Sequence, residues 1–120
     1  MAEIRRVWLV LGVFSIFAGG CRPGQVSGVE AFHEGRLPAA AAELRALEPT
    51  FGRLGPRDQA RYALYRGLVE LGLGNAPAAD AWLTFAKRSD ARDPATFTPH
   101  ERGQLLSAWR SAGRMPGESR

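Results

Sequence analysis

The one thiol in the chain, Cys21, stands directly after Ala18-Gly19-Gly20 and directly before Arg22-Pro23-Gly24. A thiolate is a good nucleophile, so Cys21 can accept an acyl group, pair with another chain or act as a free thiol. With a single cysteine, an internal disulfide is excluded. Its flexible, wet flanks suit neither a core position nor a buried reaction centre. The other chemistry-bearing residues are sparse. The two histidines are His33 and His100, and no Ser-x-x-Lys, His-Glu-x-x-His or Gly-x-Ser-x-Gly pattern accompanies them. His33 reads as a cation at a helix C-terminus, and His100 as a solvated residue of a first turn. Arg61 and Arg66 flank Tyr62 and Tyr65, which gives either a peptide-binding face or an amphipathic boundary covered by Arg stems. These residues imply no catalytic constellation, no metal and no cofactor, so the chain reads as non-enzymatic.

The segment that must position Cys21 is a targeting sequence. Arg5 and Arg6 form a basic start, partly offset by Glu3, and Val7–Ala18 is apolar or small apart from Ser15. As a helix that stretch is about 18 Å long, short of the hydrocarbon core of about 30 Å. Residues 1–20 therefore read as a signal peptide with Ala18, Gly19 and Gly20 at the cleavage site. Ala18-Gly19-Gly20-Cys21 resembles the lipobox of bacterial lipoproteins, with Ala18 where Leu is usual. The resemblance implies that Cys21 is acylated, that the chain is cut just before it, and that residues 21–26 form a lipidated tether. Arg22 supplies no acidic retention signal, which implies the outer membrane, facing the periplasm, in a Gram-negative source. Ala18 and Gly20 also satisfy ordinary signal peptidase, so secretion stays open, as do inner-membrane placement and an uncleaved anchor.

The chain has room for one domain at most. It holds 16 Lys plus Arg against 12 Asp plus Glu. The basic residues are dispersed among acids, so no nucleic-acid patch is expected. From Ser27 onward the pattern is helical. A short helix over Val29–Glu34 is followed by Pro38–Glu48, with Ala40, Leu44 and Leu47 on one side and Pro49 as its stop. Thr50–Gly55 reads as a loop. The central stretch Arg57–Lys87 reads as two helices broken at Gly74-Asn75, with Ala60, Leu64, Gly67, Leu68 and Leu71 on one stripe and Ala79, Leu83 and Ala86 on the other. Gly67 and Ala79 are expected where the two helices cross. Arg88–Phe97 is a polar connection. Thr98-Pro99-His100-Glu101 is a capping box that opens a last helix with Leu105, Leu106, Trp109 and Ala112 on one face.

Three turns share one register. Gly35 to Pro38, Gly74 to Pro77 and Gly113 to Pro116 are each Gly-x-x-Pro, each 39 residues after the last. Under that shift Gly28 falls on Gly67, Ala40 on Ala79 and Leu44 on Leu83. With Gly67, Gly74, Ala79, Leu83 and Ala86 at these positions, the chain resembles the tetratricopeptide repeat, although a spacing of 39 is longer than that family's unit. The resemblance implies an all-α fold over residues 27–112, with antiparallel helical hairpins stacked as a short solenoid, a capping last helix and a frayed tail over 113–120. It also implies a concave peptide groove, which the register carries onto Val29, Phe32, His33, Arg61, Tyr65, Leu68 and Arg110. Such a groove suits an acidic–apolar peptide, with the aromatic giving most of the contact energy. The expected function is a lipid-anchored, non-enzymatic protein–protein interaction module of the bacterial cell envelope, joined to the membrane and to another envelope protein or peptide. A second copy is a further expected partner. The other reading is an exported accessory protein or minor enzyme with a free Cys21.

Overall fold

The computed structural model describes residues 24–113. Ala18, Gly19, Gly20, Cys21 and Pro116 lie outside the described residues. Among the described residues the fold is all-α, with five helices: α1 (Gly24–His33), α2 (Leu37–Ala46), α3 (Pro56–Gly72), α4 (Ala76–Arg92) and α5 (Pro99–Ser111). A 3₁₀ segment, Glu48–Arg53, joins α2 to α3. Among the described residues no helix is long and apolar enough to cross a membrane.

The 39-residue register is present in the backbone. Gly35, Gly74 and Gly113 all take positive φ, at 79°, 80° and 82°, a conformation open to glycine and costly with a Cβ. At the first two, the next residue's N–H bonds back five residues, Arg36 to Ala31 O at 2.8 Å and Asn75 to Glu70 O at 2.9 Å. This pattern satisfies carbonyls left over at a helix end. Arg36 and Asn75 then leave the turn with nearly equal dihedrals, −87°/71° and −89°/74°. Pro38 and Pro77 occupy the first turn of α2 and α4, where a missing N–H costs nothing.

Across these turns the paired helices approach closely at matching positions. A methyl group built on Gly28 would lie 2.8 Å from Leu44 Cγ, and one on Gly67 would lie 2.7 Å from Leu83 Cγ. Both pairs are in the same register. The expected meeting of Gly67 with Ala79 is therefore one helical turn out: Ala79 is fully buried, but the side chain seated on Gly67 is Leu83. The methyl of Ala79 is too short to be the knob, and the four-carbon Leu side chain fills the space left by glycine.

Element ends differ from the sequence reading in three places. Helix α1 begins at Gly24 and so takes in residues 24–26, read above as tether. A helix of under two turns over 29–34 would hardly offset its nucleation cost. Helix α2 stops at Ala46 and Pro49 opens the 3₁₀ segment, where a loop was expected. Thr50 holds that segment, its Oγ1 donating to Leu47 O at 2.7 Å. Helix α4 runs on to Arg92, shortening the polar connection. Asp90 there accepts from Arg102 Nε at 3.0 Å, a partner on α5 that local spacing does not reveal.

Helix α3 lies at the centre. Of its predicted stripe Ala60, Leu64 and Gly67 are buried and Leu68 and Leu71 half-buried, while Tyr62, Ala63, Tyr65, Arg66, Val69 and Glu70 are buried as well. One face packs an aromatic cluster in which Phe51 lies 5.5 Å from Tyr62, 5.3 Å from Trp82 and 5.2 Å from Phe85 between ring centres. The buried Arg66 guanidinium stacks over Trp82 at 5.1 Å and donates to Glu48 Oε1 at 2.7 Å and Tyr62 Oη at 3.0 Å. It belongs to the core. Trp109 is buried, whereas Trp82 and Phe85 are half-buried.

Candidate interaction face

A face of α3 beside the aromatic cluster carries Arg61, Tyr65 and Leu68, three and four residues apart and therefore on one stripe. Helix α1 reaches it through Phe32 and His33, whose rings lie 5.9 Å and 5.7 Å from that of Tyr65. Helix α5 reaches it through Glu101. The local reason is the capping box: Glu101 N–H donates to Thr98 Oγ1 at 3.1 Å, and Thr98 N–H donates to Glu101 Oε1 at 3.1 Å. This folds the Glu101 carboxylate back toward α3. There its Oε2 accepts from Arg61 Nε at 3.1 Å and from Tyr65 Oη at 3.2 Å.

Glu101 is only 5 % exposed. Burial alone would raise its pKa, but the Thr98 N–H, the Arg61 charge and the Tyr65 hydroxyl together hold it below the ordinary carboxylate value. The same burial, followed by the neighbouring Glu101 charge, pushes the Tyr65 phenol up, so it stays a neutral donor. A depressed carboxylate contributes stability that is complete above its unfolded value of about 4.3 and is lost as pH falls through the lower folded value. The urea midpoint of the wild type should therefore fall between about pH 5 and pH 2 by more than that of Glu101→Gln. Parallel pH profiles for the two proteins would remove Glu101 from the account.

Two concavities flank this network. One, of about 520 Å³, is lined by Arg57, Arg61 and Tyr65 on α3, by Ala95, Thr96, Phe97 and Thr98 before α5, and by His100 and Glu101 on α5. The other, of about 630 Å³, runs between the last half of α3 and the length of α5, from Leu68 and Leu71 across Pro99, His100, Gly103, Gln104 and Ser107 to Ala108 and Ser111. His100 lines both.

The structure brings Phe32, His33, Arg61 and Tyr65 together, and seats Leu68 in the second concavity. Two expectations about them change. Tyr65 is 3 % exposed, so its ring is spent on Phe32, His33 and the core and is not on offer as an aromatic contact. Arg110 is exposed in the last turn of α5 and lines neither concavity, while Val29 and Phe32 are half-buried against the core. Residues overlooked by the sequence reading are Arg57, His100, Gly103, Gln104, Ser107, Ala108 and Ser111. A signal for three of them was available: the 39-residue shift carries Arg61, Tyr65 and Leu68 onto His100, Gln104 and Ser107, and all three line the concavities. Reading only Arg110 from the last helix missed them.

His33 and His100 sit on different helices, and among the described residues no three His, Cys, Asp or Glu side chains are grouped to hold a metal ion. The acid on this face is already consumed by its own neighbours. The arrangement offers cations, hydroxyls and apolar surface to a bound molecule. No known protein family, curated protein or solved structure matches the chain.

Proposed function

We propose that the chain is a lipid-anchored, non-enzymatic interaction module of the bacterial cell envelope, in which a short tetratricopeptide-like stack of helical hairpins is tethered at Cys21. The observation that carries this reading is the 39-residue recurrence of turn and packing: left-handed Gly35, Gly74 and Gly113, and the matched pairs Gly28–Leu44 and Gly67–Leu83. A two-helix unit buries its apolar face only against the next unit, and stacks built this way present extended surfaces for partners. In this arrangement α1, α3 and α5 are the first helices of successive units, and α5 caps the stack. The stripe of Arg61, Tyr65 and Leu68 and both concavities lie on these helices, which supports a partner-binding role for that side.

The anchor rests on Cys21 and the small residues before it. Each acyl methylene buried contributes about 0.8 kcal/mol, so two or three chains hold firmly where one does not. Mass spectrometry of the mature protein should find an acylated Cys21 at its N-terminus, in the outer membrane of a Gram-negative source. Cys21→Ser should be released or stay uncleaved. An unchanged, detergent-dependent mature species in that variant would sink the anchor.

A further inference from the structure

We infer that the end of the stack where α3 begins and α4 ends faces the membrane, and that Arg53, Arg57 and Arg92 there bind the phosphates of anionic phospholipid headgroups. The placement rests on the anchor reading; the charge does not. The first observation is position. Gly28 meets Leu44, Tyr62 Oη donates to Leu44 O, and the rings of Tyr62 and Trp82 lie 5.3 Å apart, so α1 to α4 share one level there. Gly24 lies four residues before that level, Pro56 six before and Arg92 ten after, all toward the same end. At 1.5 Å per residue they lie about 6–15 Å beyond it. Arg57, donating to Ala95 O at 3.1 Å, joins the start of α3 to the segment after α4. The chain therefore enters the domain at this end, three residues after Cys21. Three residues reach at most about 11 Å.

The second observation is charge. Arg53, Arg57, Arg88 and Arg92 are exposed at this end, against the acids Asp58 and Asp93. Among the described residues the ion pairs engage other cations, Arg36, Arg45, Arg61, Arg66 and Arg102, and leave Arg53, Arg57 and Arg92 without an acid. Asp93 already accepts from Ala95 N–H at 3.0 Å. The opposite end, at the turns, balances Arg36 and Arg110 against Glu34 and Asp80. A guanidinium is a planar fork that fits a phosphate with two bonds. Distance decides which charges take part. Screening limits the reach of a charged surface to about 8 Å at physiological ionic strength. The turn end lies the length of α3 away, 17 residues or about 25 Å, outside that field. Only the basic end stands close enough, so a tethered domain is drawn down onto it. The side formed by α3 and α5 is then left facing along the membrane.

The test places the full chain, exchanged out of detergent, on vesicles of phosphatidylcholine alone and of equal parts phosphatidylcholine and phosphatidylglycerol. A fluorescent amino acid at Ala95, in the basic end, or at Ala76, in the turn end, reports energy transfer to a headgroup-labelled lipid. Transfer from Ala95 should be stronger on the anionic vesicles than on the neutral ones and fall back with added salt. Transfer from Ala76 should stay low on both. Arg53→Glu combined with Arg92→Glu should bring Ala95 down to its level on neutral vesicles, and Arg53→Lys with Arg92→Lys should keep most of the gain. Equal transfer from Ala95 on the two lipids, or wild-type transfer in the glutamate variant with helical content intact, would overturn the surface. Flotation of the same samples separates this failure from that of the anchor. A chain that floats on both lipids with equal transfer keeps the anchor and discards the surface. One that floats on anionic vesicles alone, and no longer after the glutamate substitutions, keeps the surface and discards the anchor. Floating on neither discards both.

Discussion

Replacing Gly67 by leucine lowers the melting temperature by roughly 10–20 °C, the largest effect expected of any single substitution here. A Cβ at Gly67 would already lie 2.7 Å from Leu83 Cγ and 3.2 Å from Leu83 N. The nearer atom is the branch point of a fully buried side chain and the other is backbone, so neither can step aside. The helices α3 and α4 must part. Overpacking of this kind costs typically 1–3 kcal/mol, and in a domain of this size each kcal/mol is worth roughly 4–8 °C. Gly103 is the internal comparison, because a Cβ there meets nothing within 4 Å. Gly103→Ala should gain up to about 1 kcal/mol from helix propensity. Thermal melts of the two variants that move in the same direction would show that the α3–α4 contact is misjudged.

Arg45→Met should destabilise the protein by about 2 kcal/mol, and adding Glu70→Met should restore most of the loss. Glu70 is 1 % exposed, near the end of α3, where the helix dipole does not favour a negative charge. Its carboxylate is held by Arg45 Nη2 at 2.5 Å and Asn75 Nδ2 at 3.1 Å. Removing Arg45 leaves a buried charge with one neutral donor, whereas removing both partners leaves an apolar contact. The guanidinium is half-exposed, which puts the cost below that of a wholly buried pair. Chemical denaturation of the two single variants and the double variant measures the coupling. A double variant as unstable as the sum of the singles would mean that the pair contributes no mutual interaction.

What could be read from the sequence was set within a few residues along the chain. The left-handed glycines, the prolines after them and the Thr98–Glu101 capping box depend on bonds between residues three to five apart, and their spacing carries the signal directly. Glu70, Glu101 and Arg66 carried none, because an ionisable residue is buried only when a distant partner meets it. Their partners lie on other elements: Arg45 on α2, Arg61 on α3 and Glu48 in the 3₁₀ segment. The apolar stripe of α3 was visible, yet it left out most of the residues that this helix buries. A helix with neighbours all round keeps tyrosines, an arginine and a glutamate inside it, and those residues look like a solvated face in a periodicity count. The interaction face shows the same division. Arg61 and Leu68 were identified on α3, and their counterparts on α5 followed from the repeat register once it was applied to every position.

The central place of α3 also decides how the protein can come apart. It touches each of the other four helices, and the aromatic cluster, the Glu101 network and the Glu70 pair all include one of its side chains. Opening α3 therefore breaks its contacts with all four of these helices together, and its amides are freed only in global unfolding. Helix α1 stands differently. It is held through Gly28 on Leu44, the buried Ala31 and the rings of Phe32 and His33 on Tyr65, all of which can break while the rest stays closed. Helix α1, next to the N-terminal segment, can therefore open without disturbing α3 and α4. If Cys21 carries the proposed anchor, tension from it would be absorbed there, in a reversible sub-global opening, before it reached the side of the molecule formed by α3 and α5.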